Sequence, residues 1–276
     1  LNRSLVAVSS GGALALVGLV LQVYFRNPLA GPGVLGISSG ASLGVAAVIL
    51  GGISLKSFMG NVGMISAGLM GSIVVLFLLL VLSRVIKQAV TLLVVGLMFG
   101  YFTGSLIDVL FQWANEADTR EYVIWGLGSF DNLEGRQGWY YWIALIGISL
   151  VSVLLIKPLN GLILGETYAR SLGIDLRKTR WLIIVLAGVL TAVVTVYCGP
   201  ISFIGIAVPQ IIRWVIRSKN HLMILPATFL AGGVLALAAD LFVRFSGNSL
   251  PLNTVTALIG APVIIYTIIR MNRGNA

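Results

Sequence analysis

Residues 26–53 read RNPLAGPGVLGISSGASLGVAAVILGGI. A basic residue and two prolines close whatever precedes them. From Ile37 to Ile53 no charge interrupts an apolar run close to the lower limit of about 17 residues for a spanning helix. Gly36, Gly40 and Gly44 recur every four residues, a spacing that lets two helices touch closely or leaves room beside a pathway. A charge-free, glycine-striped run opened by Gly-Pro-Gly predicts a short helix inside a membrane bundle.

The remaining sequence extends that reading outward. The chain has 276 residues, 58% apolar and 10% charged, with a mean hydropathy of +1.02; a water-soluble globule carries about 25% charged residues. Apolar stretches place spans near 4–23, 37–53, 58–82, 90–112, 139–156, 181–198, 201–216, 222–243 and 252–270. Little length remains for a soluble catalytic domain, so residues 1–276 are expected to form one all-α, polytopic membrane helix bundle. The stretch 201–216 is the second short one and contains Pro209. It is opened by Gly199-Pro200-Ile201-Ser202-Phe203-Ile204-Gly205, an echo of Gly31-Pro32-Gly33-Val34-Leu35-Gly36 five spans earlier. An odd offset reverses direction in the membrane, so the pair predicts an inverted repeat.

The net charge of +9 is distributed by topology rather than along one nucleic-acid-binding face. Alternating sides gathers Arg26, Arg84, Lys87, Lys157, Arg170, Arg177, Lys178, Arg180, Arg213, Arg217, Lys219, Arg270 and Arg273 on one face, and leaves Arg3, Lys56, Arg120, Arg136 and Arg244 on the other. The first face is then cytoplasmic by the positive-inside rule. That puts the carboxyl terminus inside and Leu1 outside, and implies one further N-terminal span, ten in the intact protein. The external connection 113–138 predicts a short interfacial helix, with Trp125, Trp139 and Trp142 at headgroup level. The internal segment 157–180 reads KPLNGLILGETYARSLGIDLRKTR and predicts two short helices broken at Gly173.

Several chemistries are missing from the sequence. There is no Gly-x-x-x-x-Gly-Lys phosphate loop, and the single histidine, His221, rules out a His-Glu-x-x-His zinc site; it reads as a solvated turn residue. The single cysteine, Cys198, excludes an internal disulfide and reads as a small buried hydrophobe. Neither an enzyme active site nor a cofactor is expected. Asp108 and Asp240 are the two carboxylates within spans, and either an ion pair or a proton-carrying role suits them. Asp108 continues the stripe Gly96, Gly100 and Gly104, which reads as helix packing or as a translocation path. The turn Asn27-Pro28-Leu29, beside a helix with a proline-glycine opening, reads as the border of an internal gate or as a rigid turn.

Four segments resemble one family. Arg26 to Ala41 is similar to the signature of the iron-siderophore, haem and vitamin B12 permease family of ABC importers. Leu164-Gly165-Glu166-Thr167-Tyr168-Ala169-Arg170-Ser171-Leu172-Gly173 resembles its ATPase-coupling loop, Gly199 to Pro209 its Gly-Pro-Ile-Ser-Phe-Ile-Gly segment, and Leu250 to Pro262 its last motif. The family's histidine after Val-Pro is replaced here by Gln210, and its Asp-His-Arg by Asn220-His221-Leu222. The resemblance implies a ten-span, vitamin B12 permease-like subunit of a bacterial inner membrane, with no nucleic-acid partner. It pairs with a second permease subunit, identical or not, and works with two cytoplasmic ABC ATPases and an extracytoplasmic binding protein. It implies ATPase coupling through Leu164, Gly165, Glu166, Ala169, Arg170, Leu172 and Gly173, and docking of the binding protein on Arg3 and Arg244. The cargo implied is an iron(III)-siderophore or a related metal chelate such as haem or cobalamin. The rival reading is a proton-coupled transporter using Asp108 and Asp240.

Overall fold

In hydrocarbon a backbone must satisfy its own hydrogen bonds, and helices do so within one segment. The computed structural model of the chain is accordingly helical throughout its ordered elements. It describes residues 2–51, 61–86, 88–133, 136–216, 218–247 and 250–274. Lys56, Lys87, Glu134, Gly135, Arg217 and the first residues of the expected 58–82 span lie outside that set.

In chain order the helices are α1 (Asn2–Phe25), α2 (Ile37–Ile49), α3 (Asn61–Val85), α4 (Ala89–Trp113), α5 (Glu116–Gly126), α6 (Arg136–Leu150), α7 (Ile156–Leu164), α8 (Glu166–Ser171), α9 (Leu176–Cys198), α10 (Ile204–Val215), α11 (His221–Phe245) and α12 (Leu252–Gly274). Two 3₁₀ turns, Pro32–Leu35 and Val151–Leu155, lead into α2 and α7. Among the described residues seven helical stretches are long and apolar enough to cross a membrane, and α2 and α10 are the two shorter apolar helices. At 13 and 12 residues these two reach only about 20 Å, short of a hydrocarbon core of about 30 Å.

The arrangement follows from where small residues lie. In its most apolar stretch α1 is 83% buried, against 22% for α3, and it is enclosed by α6, α9, α10 and α11. A side chain on Gly11 would strike the Gly232 carbonyl of α11, and one on Gly18 the Gly205 carbonyl of α10. On the other side α2 lies along α3, where Gly40 and Gly44 meet Gly71 and Ala67 backbone to backbone. Packing of this kind replaces the hydrophobic drive that lipid cannot supply.

Three local expectations change. The segment from Lys157 is not a loop from its start: Pro158 has no N–H for Leu154, and the chain absorbs this as the 3₁₀ turn Val151–Leu155 and continues as α7 to Leu164. The break between the two short helices therefore falls at Gly165, and Gly173 ends the second one. Trp125 is buried, 8% exposed, in a cluster with Val45 and Ile49 of α2 instead of facing outward, whereas Trp139 is 44% exposed. The interfacial helix itself is present as α5, capped by Asn115, whose side chain accepts the Asp118 N–H at 2.8 Å.

Candidate coupling segment and gate

The first span stops by a specific turn. Arg26 adopts a left-handed conformation at φ 48°, its N–H bonds the Val23 carbonyl, and the Asn27 N–H bonds Gln22. This is the six-to-one pattern that ends many helices, built here on arginine instead of glycine. Asn27 then folds the candidate gate turn on itself: its side-chain oxygen accepts the Leu29 N–H at 2.9 Å, and its carbonyl accepts the Ala30 N–H. Leu29 stays 39% exposed.

Behind that turn lies a buried amide relay. Gln210 donates to the Pro28 carbonyl at 3.0 Å and to Gln22 Oε1 at 2.7 Å, and Gln22 donates to the Ile206 carbonyl at 3.1 Å. One pair of side chains thus ties the end of α1, the turn Asn27-Pro28-Leu29 and α10. Gln210 stands out in the sequence only as a departure from the family pattern. Gln22 goes unremarked there, although an amide inside an apolar run is itself a readable signal.

The coupling segment meets the same end of the molecule. Gly165 separates α7 from α8 at φ 120°, ψ 154°, a conformation essentially reserved for glycine, and Gly173 closes α8 at φ 75°. The Ile174 N–H bonds Ala169 and the Gly173 N–H bonds Arg170, so α8 ends by the same turn as α1. Ala169 is buried, and Gly161 of α7 faces it and Ile174. Leu164, Tyr168 and Leu172 stand outward at 63%, 50% and 58% exposure. Glu166 and Arg170 are exposed as well. At the start of α9 the Lys178 backbone N–H, then that of Arg177 and the nearby cations, hold the exposed carboxyl of Asp175 below its ordinary range. His221, expected in solvent, is buried, and both its N–H and its Nδ1 meet Asn160 Oδ1 of α7, at 3.0 and 2.7 Å.

At the opposite end Arg3 is turned inward. Its Nε and Nη2 lie 2.8 and 2.7 Å from Asp240 Oδ1 and its Nη1 3.0 Å from Asp131 Oδ2, with 15% of the side chain exposed. Arg244 takes the other oxygen of Asp240 at 3.0 Å and remains 44% exposed. Asp240 is thereby a buried carboxylate held by two guanidiniums. Asp108 instead lies exposed on α4. The stripe it continues divides: a side chain at Gly96 would collide with Leu35, Gly100 faces Ser39 Oγ at 3.5 Å, and Gly104 meets nothing within 4 Å. Cys198 is buried as expected, 3.6 Å from both Ser10 Oγ and Tyr141 OH. Among the described residues no group of three His, Cys, Asp or Glu side chains is placed to hold a metal ion.

Two short apolar helices, each entered through a positive-φ residue, stand beside an exposed short helix between two positive-φ glycines, and residues 1–270 match the FecCD transport family. The chain belongs to that family. Vitamin B12 import system permease proteins BtuC from Klebsiella pneumoniae subsp. pneumoniae and Citrobacter koseri are each 36% identical to it, over 100% and 99% of this chain and 82% of each relative. A solved metal-chelate type ABC transporter in an inward-facing conformation superposes on 97% of this chain and 86% of its own, with TM-score 0.86 and 30% identity. PsaBC from Streptococcus pneumoniae, at 17% identity and TM-score 0.59, shares the fold. This FecCD-family chain is therefore a polytopic transport permease, and its folded bundle is the architecture that the metal-chelate transporter also uses.

Proposed function

We propose that the chain is the membrane-spanning subunit of an ABC importer that passes a metal chelate, an iron(III)-siderophore, haem or cobalamin, across a bacterial inner membrane. Two copies, or this chain and a similar one, enclose the path. Two ATPases bind the face that carries α8, which is the cytoplasmic side together with the carboxyl terminus. A binding protein delivers cargo to the opposite face. The observation that carries this reading is α8: a one-and-a-half-turn helix fixed at both ends by positive-φ glycines, with Leu164, Tyr168 and Leu172 outward and no internal partner for them to cover. Apolar anchors on a short helix are what a groove in a partner protein takes. The family and the activities of the relatives support the cargo class.

In this reading the gate is Asn27-Pro28-Leu29, which Gln210 links to α10, and Gly100, Gly104 and Asp108 border the path. Arg244, the more exposed of the two arginines assigned to docking, contributes more to it than Arg3. The test is reconstitution of the permease with its ATPase and binding protein in vesicles. ATP-dependent uptake of a labelled ferric chelate or cobalamin is expected, with Leu164→Asp and Leu172→Asp abolishing ATPase association. Uptake driven by a proton gradient without ATPase would overturn the proposal. Cysteines at position 27 of two subunits are expected to crosslink in one nucleotide state only; crosslinking in every state rejects the gate.

A further inference from the structure

Beside the coupling segment, and separate from its exposed apolar anchors, a cleft of about 990 Å³ opens between the end of α3 and the start of α9. Its walls carry Arg84, Arg170, Arg177, Lys178 and Arg180, against two carboxylates, Glu166 and Asp175. Part of that charge is already engaged. Arg180 donates to the Ser83 and Ile86 carbonyls at 3.2 and 2.9 Å, where it caps the last turn of α3, and it lies over the Tyr24 ring at 5.9 Å. Lys178 leans toward Asp175 at 3.8 Å. Arg84 and Arg170 are exposed and form no ion pair among the described residues. A surplus of cations facing one recess attracts an anion.

The apolar surroundings say what the anion is attached to. On α3 the stripe Phe77, Val81, Arg84 follows helical spacing, and Phe77 and Val81 are 64% and 44% exposed. On α9 the stripe Arg177, Trp181, Val185 does the same, with Trp181 45% exposed and Trp181 and Val185 both lining the cleft. Each helix thus presents a cation at the basic end and apolar surface above it, with a tryptophan at the junction. A soluble phosphate would use only the cations; a phospholipid with a net negative headgroup uses both, because its chains lie along the apolar stripes while its phosphate sits among the arginines.

We infer that this cleft is a site for the phosphate headgroup of an anionic membrane lipid, packed against the side of α8. Arg84 and Arg177 supply charge, and Trp181 sets the depth of the headgroup. Arg180 is a positioning residue for the end of α3 and is left intact in the test.

The experiment measures lipid retention by the purified full-length permease, by native mass spectrometry, and its thermal stability with added phosphatidylglycerol, phosphatidylcholine or inorganic phosphate. Phosphatidylglycerol is expected to be retained and to raise the melting temperature, with the other two inert. The pair Arg84→Gln with Arg177→Gln is expected to weaken retention about thirtyfold, from two cations near the headgroup. Arg84→Lys with Arg177→Lys keeps the charge and is expected to retain most of the binding, which separates loss of charge from loss of fold. Lys157→Gln with Arg270→Gln removes equal charge elsewhere on the same face and is expected to change nothing. Equal loss in that last variant, equal retention of phosphatidylcholine, or displacement by millimolar inorganic phosphate would each overturn the inference.

Discussion

The turns that lead into the two short helices are related by sequence and differ in how they are held. Each begins Gly-Pro, and each enters its helix through a left-handed residue, Gly36 at φ 71° before α2 and Phe203 at φ 67° before α10. A proline carbonyl near each is held by a side-chain amide: Gln210 on Pro28, three residues before the first Gly-Pro, and Asn253 on Pro200, the proline of the second Gly-Pro itself, at 2.6 Å. The second lead-in is held far more firmly. Asn253 also donates to the Gly126 carbonyl and accepts the Ser202 N–H, while Gly199 is crowded by the Trp125 carbonyl and Gly128. The first is packed on Ile206, Gly205 and the Gly96 carbonyl, but among the described residues its one side-chain amide tie is the Gln210–Gln22 relay behind it, and Gly33 has open space around it. Two halves with one plan thus yield one turn tied by a three-bond amide and one tied more lightly, and the latter, beside the proposed coupling segment, is the one expected to rearrange.

The largest effect is expected where the two halves meet. Gly205, the second residue of α10, faces Pro32 of the first lead-in and the Leu14 carbonyl, and Gly18 faces Gly205 in turn. Gly205→Val pushes a branched side chain into two helices whose contacts are backbone, beyond the usual overpacking cost of about 1–3 kcal/mol. No folded, detergent-stable permease is expected by size-exclusion chromatography; a monodisperse variant would show that the halves can separate there. Next comes Gly36→Ala, which combines a left-handed conformation, about 1–2 kcal/mol, with a Cβ 2.6 Å from the Gly96 carbonyl. Its melting temperature should fall clearly, and a neutral result would mean that the first lead-in already shifts freely.

The amides give the direct contrast. Asn253→Ala strips partners from two carbonyls and one N–H, and Gln210→Ala strips them from the Pro28 carbonyl and Gln22; an unpaired buried polar group costs about 1–3 kcal/mol. Asn253→Ala is expected to reduce stability more. Gln210→Ala is expected to reduce it less and to change the nucleotide dependence of crosslinking at position 27. The opposite order of melting temperatures would reverse the assignment of clamped and mobile turns.

Much of this frame is legible in the letters. Run length alone marks the long helices, and Gly-Pro marks both short ones, because proline and glycine act locally. What escapes the sequence is pairing at a distance. Arg3 is plainly an outer-end cation, but nothing near it names Asp131 and Asp240 as the carboxylates that turn it inward. Gln22 is visible as an amide in an apolar run, while its bond to Gln210 joins residues far apart in the chain. The break in the coupling segment is ambiguous for another reason: Gly165 and Gly173 are the same letter, and both have positive φ, but only packing of Gly161 on Ala169 and Ile174 folds α7 against α8 at the first of them.

The smallest effect tests why a costly residue persists. Arg26 and Phe203 are the two non-glycine residues with positive φ among those described, one near each lead-in. Phe203 has a packing reason, since its ring and Cβ lie on Gly260 of α12. Arg26 is exposed, and its guanidinium lies close to Gly165, where a Cβ would sit 3.8 Å from it. Arg26→Gly relieves a left-handed strain of about 1–2 kcal/mol and loosens the unfolded chain by about 0.4–1 kcal/mol, leaving a net gain of roughly 0.5 kcal/mol. The melting temperature is therefore expected to rise by about 1–2 °C, while cargo-stimulated ATP hydrolysis in the reconstituted complex falls. A fall in melting temperature would instead assign Arg26 to holding the fold. An unchanged hydrolysis rate would remove it from coupling, and the strain at φ 48° would then have no functional counterpart at the mobile lead-in, as Phe203 has a structural one at the clamped lead-in.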